Sequence, residues 1–509
     1  MNLTLLLDMA ADTAGDRVAV GPATAGASYA DVRAAAVAVA GALARRGAQR
    51  LVLASQNTDA IPGLLFGAAL AGVPFTSVNY RLADDRLVEV LDRCSPAVVV
   101  ADEHTSPRIA EVAGLELRTA AELAAETPAD TEPADHAGDT DQVVVSLFTS
   151  GTSGAPKSVV LRHRNLTSYI LSTTEFLDAG EDEAALVSVP PYHIAGIASV
   201  LSNVYAGRRL VYLPQFDPHR WVELAHAEAV THAMIVPTML GRILDVLEET
   251  GTTLPALRHL SYGGGRMPLP VVRRALELLP AVGFVNAYGL TETSSTIALL
   301  GPDDHRDAFA HDDPAVAGRL GSVGRAVPGV ELEIRDADGR PVERGRVGEI
   351  VVRGDQIAGE YQGGDGRGDA KDADGWFRTN DRGWLDDGDY LFVDGRADDV
   401  IVRGGENLSP GEIEDVLVQH RDVAEAAVVG IPDEEWGETV AAVVVARDGR
   451  TVDADDLRAF VSRRLRSSRA PTVVAVRDAL PYSDTGKLLR RELRDAFAAA
   501  ASEPRTVTR

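Results

Sequence analysis

Apolar positions along this chain recur on two periods. "SYADVRAAAVAVAGALARRGA" (28–48) sets an alanine-rich helical pattern behind Ser28, a residue type suited to accept from the free N–H groups of a helix start. "RLVLAS" and "AVVVAD" are short β-branched runs that read as strands, and "LLFGAALAGV" (64–73) as a core helix too short to span a membrane. Further on, "ALVSVP", "RRLVYLP", "THAMIVP", "LRHLSYGG" and "VGFVNAYG" each end a strand-like run in a turn or a loop. Strands alternating with helices predict an α/β fold with largely parallel central sheets.

The rhythm changes twice. "ETPADTEPADHAGDTD" (126–141) is acidic and proline-bearing, hence a surface linker, and from about residue 321 shorter β units appear, with turns at Asp338-Gly339 and Asp374-Gly375. After "DGRADD" (394–399) come a helix at "PGEIEDVLVQH", strands at "AEAAVVGIP" and "ETVAAVVVA", a helix from Asp453 and a final helix near Lys487. This β-α-β-β-α material predicts a small separate C-terminal domain. A length of 509 residues independently favours two or more domains.

Composition narrows the class. With 45% hydrophobic and 25% charged residues the balance is globular, and a net charge of −26 argues against nonspecific nucleic-acid binding while leaving room for a nucleotide in a locally basic site. The single cysteine, Cys94, has no partner for an intramolecular disulfide and lies between apolar stretches, so it is expected to be buried and the protein cytoplasmic. The N-terminus lacks a basic flank, and Asp8 interrupts its apolar run, so no signal peptide is expected.

Candidate chemistry begins at "VSLFTSGTSGAPK" (145–157), a strand-like run followed by small polar residues and a lysine. It lacks the Walker A ending, yet its amides and hydroxyls can approach phosphate oxygens, with Lys157 supplying charge; a plain surface turn is the competing reading. In "YGLTETSS" (288–295) an aromatic face, a hydroxyl and a hard oxygen ligand stand close together. "SYGGGRMP" permits close backbone approach, and Asp381 with Arg396 suits a sugar or a phosphate.

The loop at 145–157, with "YGLTE", "GRADDVIVRGGENLSPGEIE" and "SDTGK" following in that order, resembles the adenylate-forming superfamily over nearly the whole chain, and most of all its stand-alone acyl-CoA synthetases. The resemblance implies a large N-terminal portion of packed mixed sheets and helices (1–395) and a small mobile α+β C-terminal domain (396–509) hinged at Asp398. It implies Mg·ATP-dependent activation of a carboxylic acid, then transfer to coenzyme A, with a carrier-protein thiol as the alternative acceptor and a weakened nucleotide-binding regulator as a third reading.

Residue by residue, Thr149, Ser150, Gly151, Thr152, Ser153, Gly154 and Lys157 would surround the β- and γ-phosphates. Tyr288, Gly264, Gly265 and Asn286 would border the nucleotide, Thr291 the α-phosphate, Glu292 and Thr149 the metal, and Asp381 and Arg396 the ribose. Lys487 would bridge carboxylate and α-phosphate; Arg403, Gly404 and Gly405 would line the pantetheine tunnel. Gly263, Val236 and Tyr262 would wall the acyl pocket, with Tyr262 limiting its depth, and His193 is either a gate to it or a packing residue. The run "PPYHIAGIASV" holds no acid for an amino group, so an apolar acyl or aryl carboxylate is expected. Two departures stand out: Asn380 where the family has glycine, and Tyr482 where it has arginine.

Overall fold

The computed structural model describes residues 1–126, 139–149, 157–362, 371–433, 435–483 and 488–502. The chain clusters into two units: Met1–Gly264 with Leu269–Leu332 and Val352–Phe377, and Gly265–Pro268 with Glu333–Val351 and Arg378–Arg509.

The first unit contains two large sheets. In the nine-stranded one, Arg209–Tyr212, Ala184–Val187, His232–Ile235, His259–Gly263 and Gly283–Leu290 run parallel side by side, and Ser295–Leu300 returns antiparallel. In the seven-stranded one, Val143–Thr149, Phe75–Ser77, Leu51–Ala54, Ala97–Ala101 and Leu115–Arg118 are parallel, while Lys157–Arg162 and Glu360–Gln362 close one edge antiparallel. The expected α/β class with largely parallel sheets is the observed one. Parallel strands buried on both faces need continuous apolar runs, which is why Leu51–Ala54 and Ala97–Ala101 are buried at every position. Cys94 lies in the same core, and burial pushes its thiol up to about 11.

Helix signals hold as well. Ser28 caps Tyr29–Arg45: its hydroxyl accepts from the Asp31 amide, and the Asp31 carboxylate accepts from the Ser28 amide. The apolar segment around Leu64 forms Ile61–Leu70, the core helix anticipated. Among the described residues no helix is long and apolar enough to cross a membrane. Most of the acidic stretch after Glu126 lies outside the described residues.

In the second unit, strands Val423–Asp433 and Gly437–Ala446 pair antiparallel over their whole length, with Val473–Val476 parallel along the other side of the latter. Alternation gives the hairpin two apolar faces. Val428, Val440, Ala442 and Val444 pack with Ile413, Leu417, Leu457 and Val461 from the helices Pro410–Leu417 and Ala454–Arg464. Ala427, Val429, Ala441 and Val443 face Leu480 and Leu493, the latter on the last helix, Arg490–Ser502.

Candidate active site

The first unit gathers its candidates at the C-terminal ends of parallel strands, the usual place for ligands in such sheets. Register sets Ile235, Tyr262 and Asn286 at one level, so Val236, Gly263 and Ala287 share the next. Gly263 is there because the strands approach closely: a Cβ would stand 2.3 Å from the Ala287 carbonyl oxygen. Gly264 turns away at φ +79, with only Val236 Cγ1 near the position a Cβ would take. Asn286 donates through Nδ2 to the Ser322 carbonyl at 3.0 Å, and Tyr288 follows it, half-buried, on the same strand.

Tyr262 is fully buried. Its hydroxyl donates to His305 Nε2 at 2.8 Å; His305 Nδ1 lies 2.8 Å from the Gly301 carbonyl, which fixes the hydrogen on that nitrogen. Burial holds His305 neutral by pulling its pKa down. His193 immediately precedes the helix Ile194–Ala206; its ring lies 4.9 Å from that of Tyr192, which meets Tyr80 edge-on at 6.0 Å.

Glu292 sits on a single 3₁₀ turn, Thr291–Thr293. Its carbonyl accepts from the amides of Ala358 and Gly359 at 2.9 and 3.0 Å, and its Oε1 accepts from the Tyr361 hydroxyl at 2.9 Å. Lys157 Nζ lies over the Tyr361 ring, 5.3 Å from its centre. Thr149 and Lys157 face each other across their hairpin, Thr149 Oγ1 donating to the Lys157 carbonyl at 3.4 Å. Ser150, Gly151, Thr152, Ser153 and Gly154 lie outside the described residues.

In the second unit, Asp381 is buried opposite Arg396 on paired strands, with Arg396 Nε 3.3 Å from its carboxylate. The Asp381 amide donates to Thr379 Oγ1, and the Thr379 hydroxyl donates in turn to the Ile350 carbonyl. Between them Asn380 has φ +59 and an exposed side chain. That left-handed backbone is the reason a glycine or an asparagine is needed here.

Asp398 occupies the 3₁₀ turn Ala397–Asp399, tied to the last helix by Arg494, which donates to the Asp398 carbonyl and to Asp399 Oδ1. Gly404 and Gly405, at φ +58 and +81, form the two-residue turn between Ile401–Arg403 and Glu406–Leu408, a geometry that asks for glycine twice. Arg403 lies 5.8 Å from the centre of the half-exposed Trp436 ring and donates to the Ser468 carbonyl, while Arg466 and Arg469 flank Glu406. Lys487 lies outside the described residues; Tyr482 and Leu488 form an antiparallel bridge. The substituted Tyr482 donates to Glu425 Oε2 at 2.9 Å.

Two functional candidates escaped the sequence reading. Tyr361 looks like part of a glycine-rich loop, and only its pairing with a strand some two hundred residues earlier reveals it. Trp436 had a signal, an aromatic in a polar turn just before "ETVAAVVVA".

A family model described as AMP-binding enzyme matches residues 7–362, and one described as AMP-binding enzyme C-terminal domain matches 412–487. A fatty acid acyl-carrier-protein ligase, ScoC, of Streptomyces coeruleorubidus is 33% identical over 444 residues, covering 85% of this chain and 84% of its own. A feruloyl-CoA synthase of Amycolatopsis sp is 34% identical over 457 residues, 89% of each. The o-succinylbenzoate CoA synthetase of Bacillus subtilis, solved with its acyl-adenylate intermediate, superposes with a TM-score of 0.84 at 28% identity, covering 96% of this chain and 98% of that one. The same enzyme was also solved with ATP and a magnesium ion, with a TM-score of 0.83, 28% identity and coverage of 96% and 99%. The chain belongs to the AMP-binding enzyme family, the ligases that activate a carboxylate with ATP and release AMP.

Proposed function

We propose that this enzyme is an acyl-CoA ligase that activates an apolar acyl or aryl carboxylate in the cytoplasm and transfers it to free coenzyme A. A carboxylate oxygen attacks the α-phosphorus of ATP, a P–O bond forms, and the bond to the leaving pyrophosphate breaks. The CoA thiolate then attacks the acyl carbon and AMP departs.

What the protein must supply is fixed positive charge and donors at the phosphates. Lys157, Thr149 and the loop 150–154 meet the β- and γ-phosphates, Thr291 and Lys487 the α-phosphate, Tyr288 with Gly264, Gly265 and Asn286 the base, and Asp381 with Arg396 the ribose. Glu292 fits Mg²⁺, with the Thr149 hydroxyl as the second metal-facing group: a half-buried carboxylate oriented by a neutral hydroxyl is a hard ligand suited to an ion arriving with a triphosphate. When bound, the ion would offset charge on the phosphoryl oxygens. His193, Val236, Gly263 and Tyr262 border the acyl group, and the part beyond Asp398 rotates as a mobile domain between the two half-reactions.

The observation that carries free CoA over a carrier protein is the Arg403–Trp436 corner. An exposed aromatic face beside Arg403, with Arg466 and Arg469 gathered at Glu406 on the facing strand of the same turn, suits a base and phosphates, the part of CoA that a carrier-bound pantetheine lacks. The test compares thioester formation with free CoA and with a phosphopantetheinylated carrier protein, in the wild type and in Trp436→Ala. Free CoA should be used, and Trp436→Ala should raise its KM about tenfold, within the range for losing one stacked base, while pyrophosphate release stays as it was. Exclusive use of the carrier, or indifference of the CoA KM to Trp436, would overturn the reading.

A further inference from the structure

The geometry points to Tyr361 as a positioning residue for adenylation, one that aims Glu292 and parks Lys157 before the nucleotide arrives. This rests on the reading of Glu292 as the carboxylate that faces Mg²⁺.

Tyr361 lies on a strand of three residues, Glu360–Gln362, at the edge of the seven-stranded sheet. So short a strand is weak by itself, and it is pinned at both ends. Arg162 grips Glu360 through two hydrogen bonds of 2.9 and 2.6 Å, and Gln362 Oε1 accepts from Arg50 at 3.2 Å. Register then places Tyr361 opposite Val159 and Gln362 opposite Ser158, the residue after Lys157. Just before this strand the amides of Ala358 and Gly359 hold the Glu292 carbonyl. One segment, 358–361, therefore fixes Glu292 by its main chain and by its side chain.

The chemistry of the contact is specific. A glutamate without such a contact has about 1.5–2 kcal/mol of rotamer entropy to lose on binding an ion. The Tyr361 hydroxyl removes much of that freedom by holding Oε1 and leaves Oε2 for a cation. Being neutral, it does so without cancelling the charge the ion needs, which an arginine in the same place would do. The ring face holds the Lys157 ammonium 5.3 Å from its centre, on the strand that closes the phosphate loop. The two groups that must meet a metal-bound triphosphate from opposite sides are thus spaced by one rigid side chain.

The test is calorimetric titration of the full chain with Mg·ATP and with ATP in EDTA, for wild type, Tyr361→Phe, Glu292→Gln and the double variant. Tyr361→Phe keeps the ring and loses the hydroxyl. It should weaken Mg·ATP binding about three- to tenfold, the usual net worth of one hydrogen bond, and leave binding of metal-free ATP unchanged. In the Glu292→Gln background the same substitution should have no further effect, and this cycle isolates the coupling even if the phenylalanine lowers the melting temperature. Additive losses in the double variant, or wild-type Mg·ATP affinity in Tyr361→Phe alongside a defect in Glu292→Gln, would overturn the role of Tyr361 alone. Wild-type affinity in both single variants would instead remove the metal reading of Glu292.

Discussion

The two ends of the nine-stranded sheet each hold a glutamate in a fixed contact, arranged for different purposes. At the C-terminal ends of the parallel strands stand Val236, Gly263, Gly264, Tyr288 and Glu292, where glycines keep the backbone bare and the acid faces a neutral donor. At the N-terminal ends stand His232 and His259, their rings stacked 4.9 Å apart, with Glu183 accepting from both Arg208 and Arg258. Asp182 adds a second partner for Arg258, and Thr231 bonds His232 Nδ1 at 2.9 Å. Each end thus holds a glutamate in fixed contacts. Glu183 is already consumed by its own arginines, while Glu292 is held through one oxygen by a neutral hydroxyl, and this separates a structural cluster from a ligand site better than residue type does.

The largest test of that contrast is at Glu292. Glu292→Gln should cut the adenylation rate about 10²–10³-fold, the scale for removing one preorganised group that offsets developing charge, with the melting temperature unchanged. A loss of stability of comparable size would break the comparison, because it would make this end structural too.

The mirror experiment is Glu183→Gln. Arg208 and Glu183 are both mostly buried, so removing the acid strands a guanidinium and should cost about 3 kcal/mol, the low end for breaking a buried pair. Denaturant melts should show it, and kcat of the folded variant should stay at the wild-type value. A tenfold fall in kcat without destabilisation would reverse the assignment.

The same end should also govern acid sensitivity. Burial first, then Arg208, His259 and Arg258, pull His232 down to about 3, and His259 shifts in the same direction. Glu183, 3.7 Å from His232 Nδ1, is the acid beside them and pulls His259 the other way. An unfolded histidine takes up its proton near pH 6.5 while the folded ring resists it. Stability is therefore complete above that pH and drains away as pH falls from about 6.5 towards 3. His232→Asn should flatten this part of the curve measured by urea melts; an unchanged slope would show that these rings are not its source.

How much of this could be read beforehand depends on sequence distance. Strands followed by turns, the Ser28 cap and the burial of Cys94 follow from local pattern, because each rests on neighbours within a few residues. The candidates Tyr288, Glu292 and Asp381 could be singled out because each stands in a short motif whose residue types sit together in the chain. Tyr361 was not: its meaning comes from pairing with 157–162 and from Glu292, both remote in the chain, and the glycines around it hide a strand. The histidine stack is of the same kind, since His232 and His259 are brought together only by parallel register.

The smallest effect is expected at Asn380, which asks whether geometry or family pattern is the better guide. By pattern, a side chain where relatives have glycine should disturb the ribose site. By geometry it should not, since the backbone is left-handed at φ +59, a region asparagine tolerates, and the side chain is exposed. Asp381 meanwhile keeps its place through its own amide, bonded to Thr379, and through Arg396. Asn380→Gly should therefore leave the ATP KM and adenylation rate within about twofold. Its stability should change by under about 1 kcal/mol, because the gain in unfolded-chain entropy and the relief of a mildly strained φ act in opposite directions. A tenfold loss of adenylation with ATP binding intact would mean that this amide touches the reacting groups. Exposure and backbone angle would then be a poorer guide to function at this turn than they are at the two ends of the sheet.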